Sequence, residues 1–168
     1  MEFTSASANK YLKRLQDEKD RLLRIESERS TYIVAEGEEP DPPVYDYAAT
    51  RAAVSEIDDK MRAIRHALHR FNLETVLPGS GLSIDEALIA LAQLSGAQSV
   101  VRTLSEQQQK TRLRDRYYGG APGPVEHLYA NYDVAQAEQD YRELSDRIAA
   151  LQLEIDLANQ TQLFAVDL

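Results

Sequence analysis

The residues with the clearest potential for chemistry form an Arg- and Tyr-rich cluster. It combines three arginines with two adjacent tyrosines and two adjacent glycines, namely Arg112, Arg114, Arg116, Tyr117, Tyr118, Gly119 and Gly120. Arginine binds phosphate or carboxylate through paired hydrogen bonds, tyrosine rings stack on planar groups, and glycine lets a backbone approach a ligand closely. The cluster therefore predicts a site for a small anionic ligand such as a nucleotide. A structural role is the alternative, because arginine is also common at helix C-termini and interfaces.

Two histidines, His66 and His69, lie three positions apart. This spacing places both on one face of a helix, from which they can ligate a metal. Arg62, Arg65 and Arg70 surround them, and neighbouring cations disfavour a metal ion. No Glu is followed by a His three residues later, as in di-iron bundles. We therefore predict no metal site and no cofactor, and we expect this basic face to pair with carboxylates on a neighbouring helix.

Other catalytic and nucleic-acid signatures are incomplete. His127 has no Gly-x-Ser-x-Gly elbow to serve, so we predict that the protein is not an enzyme. Ala92 and Gly96 have the spacing of a helix-turn-helix turn, but Arg102 stands where that motif needs an apolar residue. Few bases follow to contact phosphates, and nucleic acid is therefore not an expected partner.

Composition narrows the class of protein further. The 168 residues fit one domain, and the absence of cysteine excludes disulfides and thiolate sites. A net charge of −9 disfavours general binding to phosphate backbones. The first residues lack the apolar core of a signal peptide, and no stretch reaches the roughly 18 apolar residues of a membrane span. We expect a cytoplasmic protein that has no membrane partner.

Four helices are predicted to position these residues. Pro40, Pro42 and Pro43 end the first, and Ser83 with Glu86 forms a capping box before the third. The third is expected to continue through Gly96 rather than bend there. The predicted helices are about 5–35, 46–74, 84–114 and 133–158, with loops at 36–45, 75–83 and 115–132 and a tail at 159–168.

Apolar residues recur at alternating spacings of three and four in two of these helices, the pattern of a heptad seam. One seam comprises Tyr47, Val54, Ile57, Met61, Ile64, Leu68 and Phe71, and the other includes Tyr141, Leu144, Ile148, Leu151 and Ile155. Long helices with short connections bury such seams by running antiparallel. The sequence predicts an all-α fold, either an up-down antiparallel four-helix bundle or helical hairpins, in one domain over residues 1–168. Each seam is assigned to the core or to an oligomer interface.

Several landmarks occur in an order that resembles septicolysin-like bacterial proteins. They are EGEEPDPP at 36–43, FNLET at 71–75, LSIDEAL at 82–88, RDRYY at 114–118 and YRELSDRI at 141–148, within a resemblance that spans Leu12 to Leu157. The resemblance implies a small helical cytoplasmic protein, and the family name suggests a pore-forming cytolysin without identifying an active residue. Ala90, Leu91 and Ala92 depart from the charged residues expected there, which puts a polar site at this position in doubt.

Three functions follow as hypotheses. The leading one is a non-enzymatic homo-oligomer that acts as an interaction or scaffold protein through its seams. The second is an oligomer that sequesters a small anionic ligand at the Arg- and Tyr-rich cluster. The third is the membrane-active protein that the family name suggests, although no strongly amphipathic inserting segment is visible.

Overall fold

The computed structural model describes residues 1–113, 117–118, 121–122 and 125–168. These residues are mostly helical, in α1 (Ser5–Arg29), α2 (Tyr47–Glu74), α3 (Ile84–Ser105) and α4 (Val134–Thr161). Short strands accompany them: β1 (Glu2–Thr4), β2 (Lys110–Arg112), β3 (Tyr117–Tyr118), β4 (Ala121–Pro122), β5 (His127–Tyr129) and β6 (Leu163–Ala165). The prediction of a mainly helical chain is confirmed. The purely all-α prediction is corrected by the antiparallel pairs β1–β6, β2–β5 and β3–β4.

The chain forms two compact units: residues 1–75 with 156–168, and residues 76–155. In the first unit, α1 and α2 run antiparallel. Lys19 pairs with Asp58 at 2.6 Å. Glu26 lies further along α1 than Lys19, and it pairs with Arg51, which precedes Asp58 in α2 by the same number of residues. Their facing apolar residues, with β1 and the chain end, form a core of Phe3, Ala8, Leu15, Ile57, Met61, Ile64, Ala67 and Val166.

Strands β1 and β6 close one end of this unit. Phe3 lies opposite Phe164 in the antiparallel register, and the ring of Phe164 lies 5.0 Å from that of Phe71. Aromatic rings at this separation add to the stabilisation from their buried area. Thr4 then caps α1 by accepting a hydrogen bond from the Ser7 amide. The two strands therefore join both ends of the chain to the helical core.

The second unit begins with a tight turn before α3. Leu77 is fully buried, and its amide and carbonyl bond to Leu82 and Gly81 across the turn. The Glu154 carboxylate of α4 accepts hydrogen bonds from the amide and hydroxyl of Ser80, at 3.0 and 3.2 Å. Ser83 and Glu86 form the predicted capping box, which is confirmed. The turn and the cap together fix where α3 starts.

A small strand pair follows α3. Lys110–Arg112 pairs with His127–Tyr129, inside the region predicted as helix and loop. The Gln109 side chain donates to the carbonyls of Ala130 and Tyr132 and accepts from the amide of Val134, at the start of α4. The side-chain oxygen thereby satisfies an amide that the start of a helix leaves free, and the side-chain nitrogen holds the segment that precedes α4.

Several predicted boundaries are wrong. Helix α1 ends at Arg29 rather than 35, because Ser and Thr and then the β-branched Ile33 and Val34 disfavour helix, and no residue there is buried. Helix α3 ends at Ser105 rather than 114, where the chain turns into β2. It runs unbroken through Gly96, as predicted. Helix α4 extends to Thr161 rather than 158, and β6 occupies part of the predicted tail.

Candidate functional site

Helix α3 has an inward face that packs within the second unit. Ile84 and Ala87 are buried, and Leu91, Leu94 and Val101 are half-buried on the same side. Further along this side, Gln98 donates a 2.9 Å hydrogen bond to the hydroxyl of Ser145 on α4. A groove of about 360 Å³, lined by Ala90, Leu94, Leu151 and other residues, separates parts of the two helices. This face positions α3 against α4.

The opposite side of α3 is also apolar, although it faces solvent. At 3.6 residues per turn, Leu88, Ile89, Ala92, Gly96 and Val100 share one face, which we call the outward face. Leu88, Ile89 and Val100 are 45%, 54% and 63% exposed. Ala92 and Gly96 are exposed between them. A helix that is apolar on both sides is ordinarily buried on both sides.

The outward face is also free of charge. Residues 87 to 101 contain no Asp, Glu, Lys or Arg, in a chain in which 28% of residues are charged. The solvent-facing side of α2, by contrast, is rich in Lys, Arg, Asp and Glu. Solubility alone does not favour an exposed uncharged helical side of this length. The outward face is therefore an exposed apolar surface without charged residues.

Small residues occupy the centre of the outward face. A Cβ atom built on Gly96 meets no other atom within 4 Å, so no contact in the described part of the chain requires glycine there. Glycine in a helix interior costs about 1 kcal/mol relative to alanine. Small side chains at Ala92 and Gly96 allow another helix to approach closely, while Leu88, Ile89 and Val100 supply apolar area.

Opposite charges lie at the two ends of the uncharged segment. Glu86 lies at the N-terminal end, where hydrogen bonds from the Ser83 backbone and hydroxyl lower its pKa below the usual range for Glu. Arg102 lies at the C-terminal end and forms an ion pair with Glu106 at 2.9 Å. Both members of that pair are largely exposed, and such pairs contribute little to stability.

The two predicted seams are mostly buried within the chain. Val54, Ile57, Met61, Ile64 and Phe71 of α2 are buried, and Leu68 is half-buried. In α4, Ile148, Leu151 and Ile155 are buried, while Tyr141 and Leu144 are half-buried. The prediction allowed these side chains a role in the core or in an oligomer interface, and their burial places them in the core.

Tyr47 is the exception, because its side chain is exposed. In the antiparallel register that Glu26 and Arg51 define, Tyr47 lies opposite the residue after Arg29. Helix α1 has ended at that point, so Tyr47 has no helical surface to pack against. Tyr47 therefore has no core role, and its assignment to an oligomer interface stays a prediction.

Most of the Arg- and Tyr-rich cluster lies outside the described residues. Arg114, Arg116, Gly119 and Gly120 are not described, and Tyr117 and Tyr118 are described only as strand β3 paired with β4. Arg112 lies in β2, where it faces His127 across the strand pair. The ligand site predicted there stays a prediction. Nearby, a pocket of about 340 Å³ is lined by Leu104, Leu128, Tyr129 and other residues.

The ion-pair partners of the basic face of α2 differ from those predicted. Arg62 pairs with Asp59 and Lys60 with Glu56, so both ion pairs form within α2 rather than with a neighbouring helix. His66 and His69 are exposed and line one groove. Among the described residues, no group of three or more His, Asp or Glu side chains is arranged to hold a metal ion. The described helices include none that is long and apolar enough to cross a membrane.

The outward face of α3 was not predicted from the sequence. The spacing of the apolar residues in α3 suggests one stripe, but their exposure differs. Leu88 and Leu104 are exposed, whereas Ile84 is buried and Leu91, Leu94 and Val101 are half-buried. The available signal was the uncharged segment at 87–101 together with apolar residues on two opposite sides. A search for one amphipathic stripe conceals that pattern.

Comparison with known proteins identifies a shared fold. No family model matches the sequence, and no curated protein matches it. One solved structure, described as that of a functionally unknown conserved protein from Corynebacterium diphtheriae, is similar, with a TM-score of 0.57 and 17% identity. The alignment covers 98% of this chain and 100% of that one. At this identity the likeness shows that the two chains share a fold over essentially their whole length.

Proposed function

We propose that this protein is a non-enzymatic helical interaction protein that self-associates, and that two copies pair through the outward face of α3. The observation that supports the proposal is the exposed, uncharged side of α3 formed by Leu88, Ile89, Ala92, Gly96 and Val100. This surface replaces the heptad seams as the basis for association, because those side chains are largely consumed in packing within the chain.

A second copy is the partner that fits this face best, since the face is complementary to itself. Two antiparallel α3 helices related by a two-fold axis at the level of residue 94 place Ala92 level with Gly96 of the other copy, and Leu88 level with Val100. A two-fold interface repeats each such contact. Small residues meet at the centre, where the helices approach most closely, and large apolar residues meet on either side.

The charged ends do not select between the two registers. Arg102 follows Ile84 by 18 residues, which is five full turns, so it shares the inward side of α3 with that buried residue. The Glu86 carboxylate is already held by the amide and hydroxyl of Ser83. The antiparallel register therefore rests on the apolar residues of the outward face. An antiparallel four-helix bundle within each chain remains part of the proposal.

Single cysteines test this register, because the natural chain contains none. We expect a mixture of the Ala92→Cys and Gly96→Cys variants to form a disulfide-linked dimer faster than either variant alone. In the antiparallel pair, two copies of residue 92 are offset by about 6 Å along the axis, whereas residues 92 and 96 are level.

Leu153→Cys serves as the matched control, since Leu153 is exposed on α4 away from the outward face. Equal cross-linking of the control would show random collision and would contradict the proposal. Fastest cross-linking of Ala92→Cys with itself would instead indicate parallel pairing and contradict the register.

A further inference from the structure

The basic side of α2 forms a groove that the proposed self-association does not use. The groove has a volume of about 460 Å³ and is lined by Asp58, Met61, Arg62, Arg65, His66 and His69. All six residues belong to α2, and their spacings of three and four place them on one side of the helix. Met61 is buried at its base, and the polar groups form its rim.

The cations of this groove are poorly compensated. The Asp58 carboxylate is held by Lys19 through contacts of 2.6 and 2.9 Å. Among the described residues, Arg62 forms an ion pair with Asp59 alone. The two side chains are 74% and 63% exposed, and such a pair is easily displaced. In the described part of the chain, no hydrogen bond or ion pair joins Arg65, His66 or His69 to a carboxylate.

Helix stability does not explain this arrangement. Residues three or four apart on a helix are neighbours, so like charges at these spacings oppose helix formation. Arg62 and Arg65 stand three apart, and no acidic residue occurs between 60 and 70. The groove also lies before the last turn of α2, so the helix dipole stabilises these cations little. Ligand binding accounts for a concentration of cations that the isolated helix disfavours.

We propose that the groove binds the phosphate chain of a small polyphosphate ligand. Arg62 and Arg65 present planar guanidinium groups that pair with phosphate oxygens, and His66 and His69 add ring N–H donors. From Arg62 to His69 the donors extend about 10 Å along the helix, which matches several linked phosphates better than one. The phosphate chain is shared by nucleoside triphosphates and inorganic polyphosphate, and both are candidate sources.

Calorimetric titration of the whole protein with inorganic tripolyphosphate, and separately with ATP, tests the inference. We expect saturable binding of tripolyphosphate, and an increase in Kd of about tenfold or more in the Arg62→Ala/Arg65→Ala variant, since each arginine loses a charge-assisted contact. Equal affinities would identify the phosphate chain as the whole ligand. Tighter binding of ATP would show that the nucleoside also contributes.

Arg21→Ala/Arg24→Ala is the matched control, because it removes the same charge from exposed positions of α1. It is expected to retain the Kd of the natural protein within about twofold, the limit for loss of long-range attraction alone. Absence of saturable binding, or equal weakening in both double variants, would overturn the inference. Melting temperatures without ligand verify folding, and the groove variant is expected to be at least as stable as the natural protein.

Discussion

Replacement of Ile89 by Glu is expected to separate the proposed dimer into folded monomers. Ile89 is 54% exposed in the single chain. Burying a whole isoleucine side chain contributes about 1.5–3 kcal/mol, so covering the remaining half contributes about 1 kcal/mol per copy. A two-fold interface contains the side chain twice, which makes about 2 kcal/mol per dimer. The variant loses this and also places two carboxylates without partners in the interface.

Desolvating those carboxylates adds a comparable or larger cost. A total of about 4 kcal/mol raises the dimer Kd about a thousandfold. The monomer itself loses little, because substitutions at solvent-facing positions change stability by about 0.5 kcal/mol or less. Light scattering across a concentration series measures the mass, and thermal unfolding verifies the fold.

Leu153→Glu introduces the same charge at a residue that is 71% exposed on α4. We expect this control to retain the dimer mass at concentrations at which Ile89→Glu is monomeric. A dimer of the Ile89→Glu variant with unchanged Kd would refute the assignment of the interface to α3. Equal dissociation of both variants would show that added negative charge, rather than the outward face, controls assembly.

Three further predictions concern the stability of the second unit. Gly96→Ala is expected to raise the free energy of unfolding of the monomer by about 0.5–1 kcal/mol in urea titration of the Ile89→Glu background, because helix propensity improves without a clash. Glu154→Ala is expected to lower it by about 1–2 kcal/mol, since Ser80 loses a charged acceptor. Hydrogen bonds from Ser83 lower the pKa of Glu86, so their stabilisation is complete above the ordinary Glu pKa of about 4.3 and is lost as pH falls through the lower folded value. The difference in melting temperature between the natural protein and Glu86→Gln should therefore shrink on acidification, and a constant difference would contradict this cause.

The helices were largely predictable because their signals are local. The caps at Asp46 and Ser83 and the spacing of Ile57, Met61 and Ile64 each act within a few turns of chain. The end of α1 was less predictable, because the last apolar residues before the proline-rich segment continue a plausible stripe. Only the structure shows that no buried surface remains for Ile33 to cover.

The strands required information that a local pattern does not contain. Phe3 pairs with Phe164, although nearly the whole length of the sequence separates them. Neither three-residue strand has a turn or an alternating pattern that indicates its partner. The outward face of α3 was missed for a different reason. Apolar residues on two sides of a helix produce no single periodic stripe, so the assignment of Leu88 to solvent and Leu91 to the interior depends on the packing of α4.

The mass of the natural protein in solution tests the central claim most directly. Light scattering from low to tens of micromolar protein is expected to show a reversible approach to twice the 18.9 kDa mass of the chain. A monomer throughout that range would contradict the proposal that the outward face of α3 joins two copies.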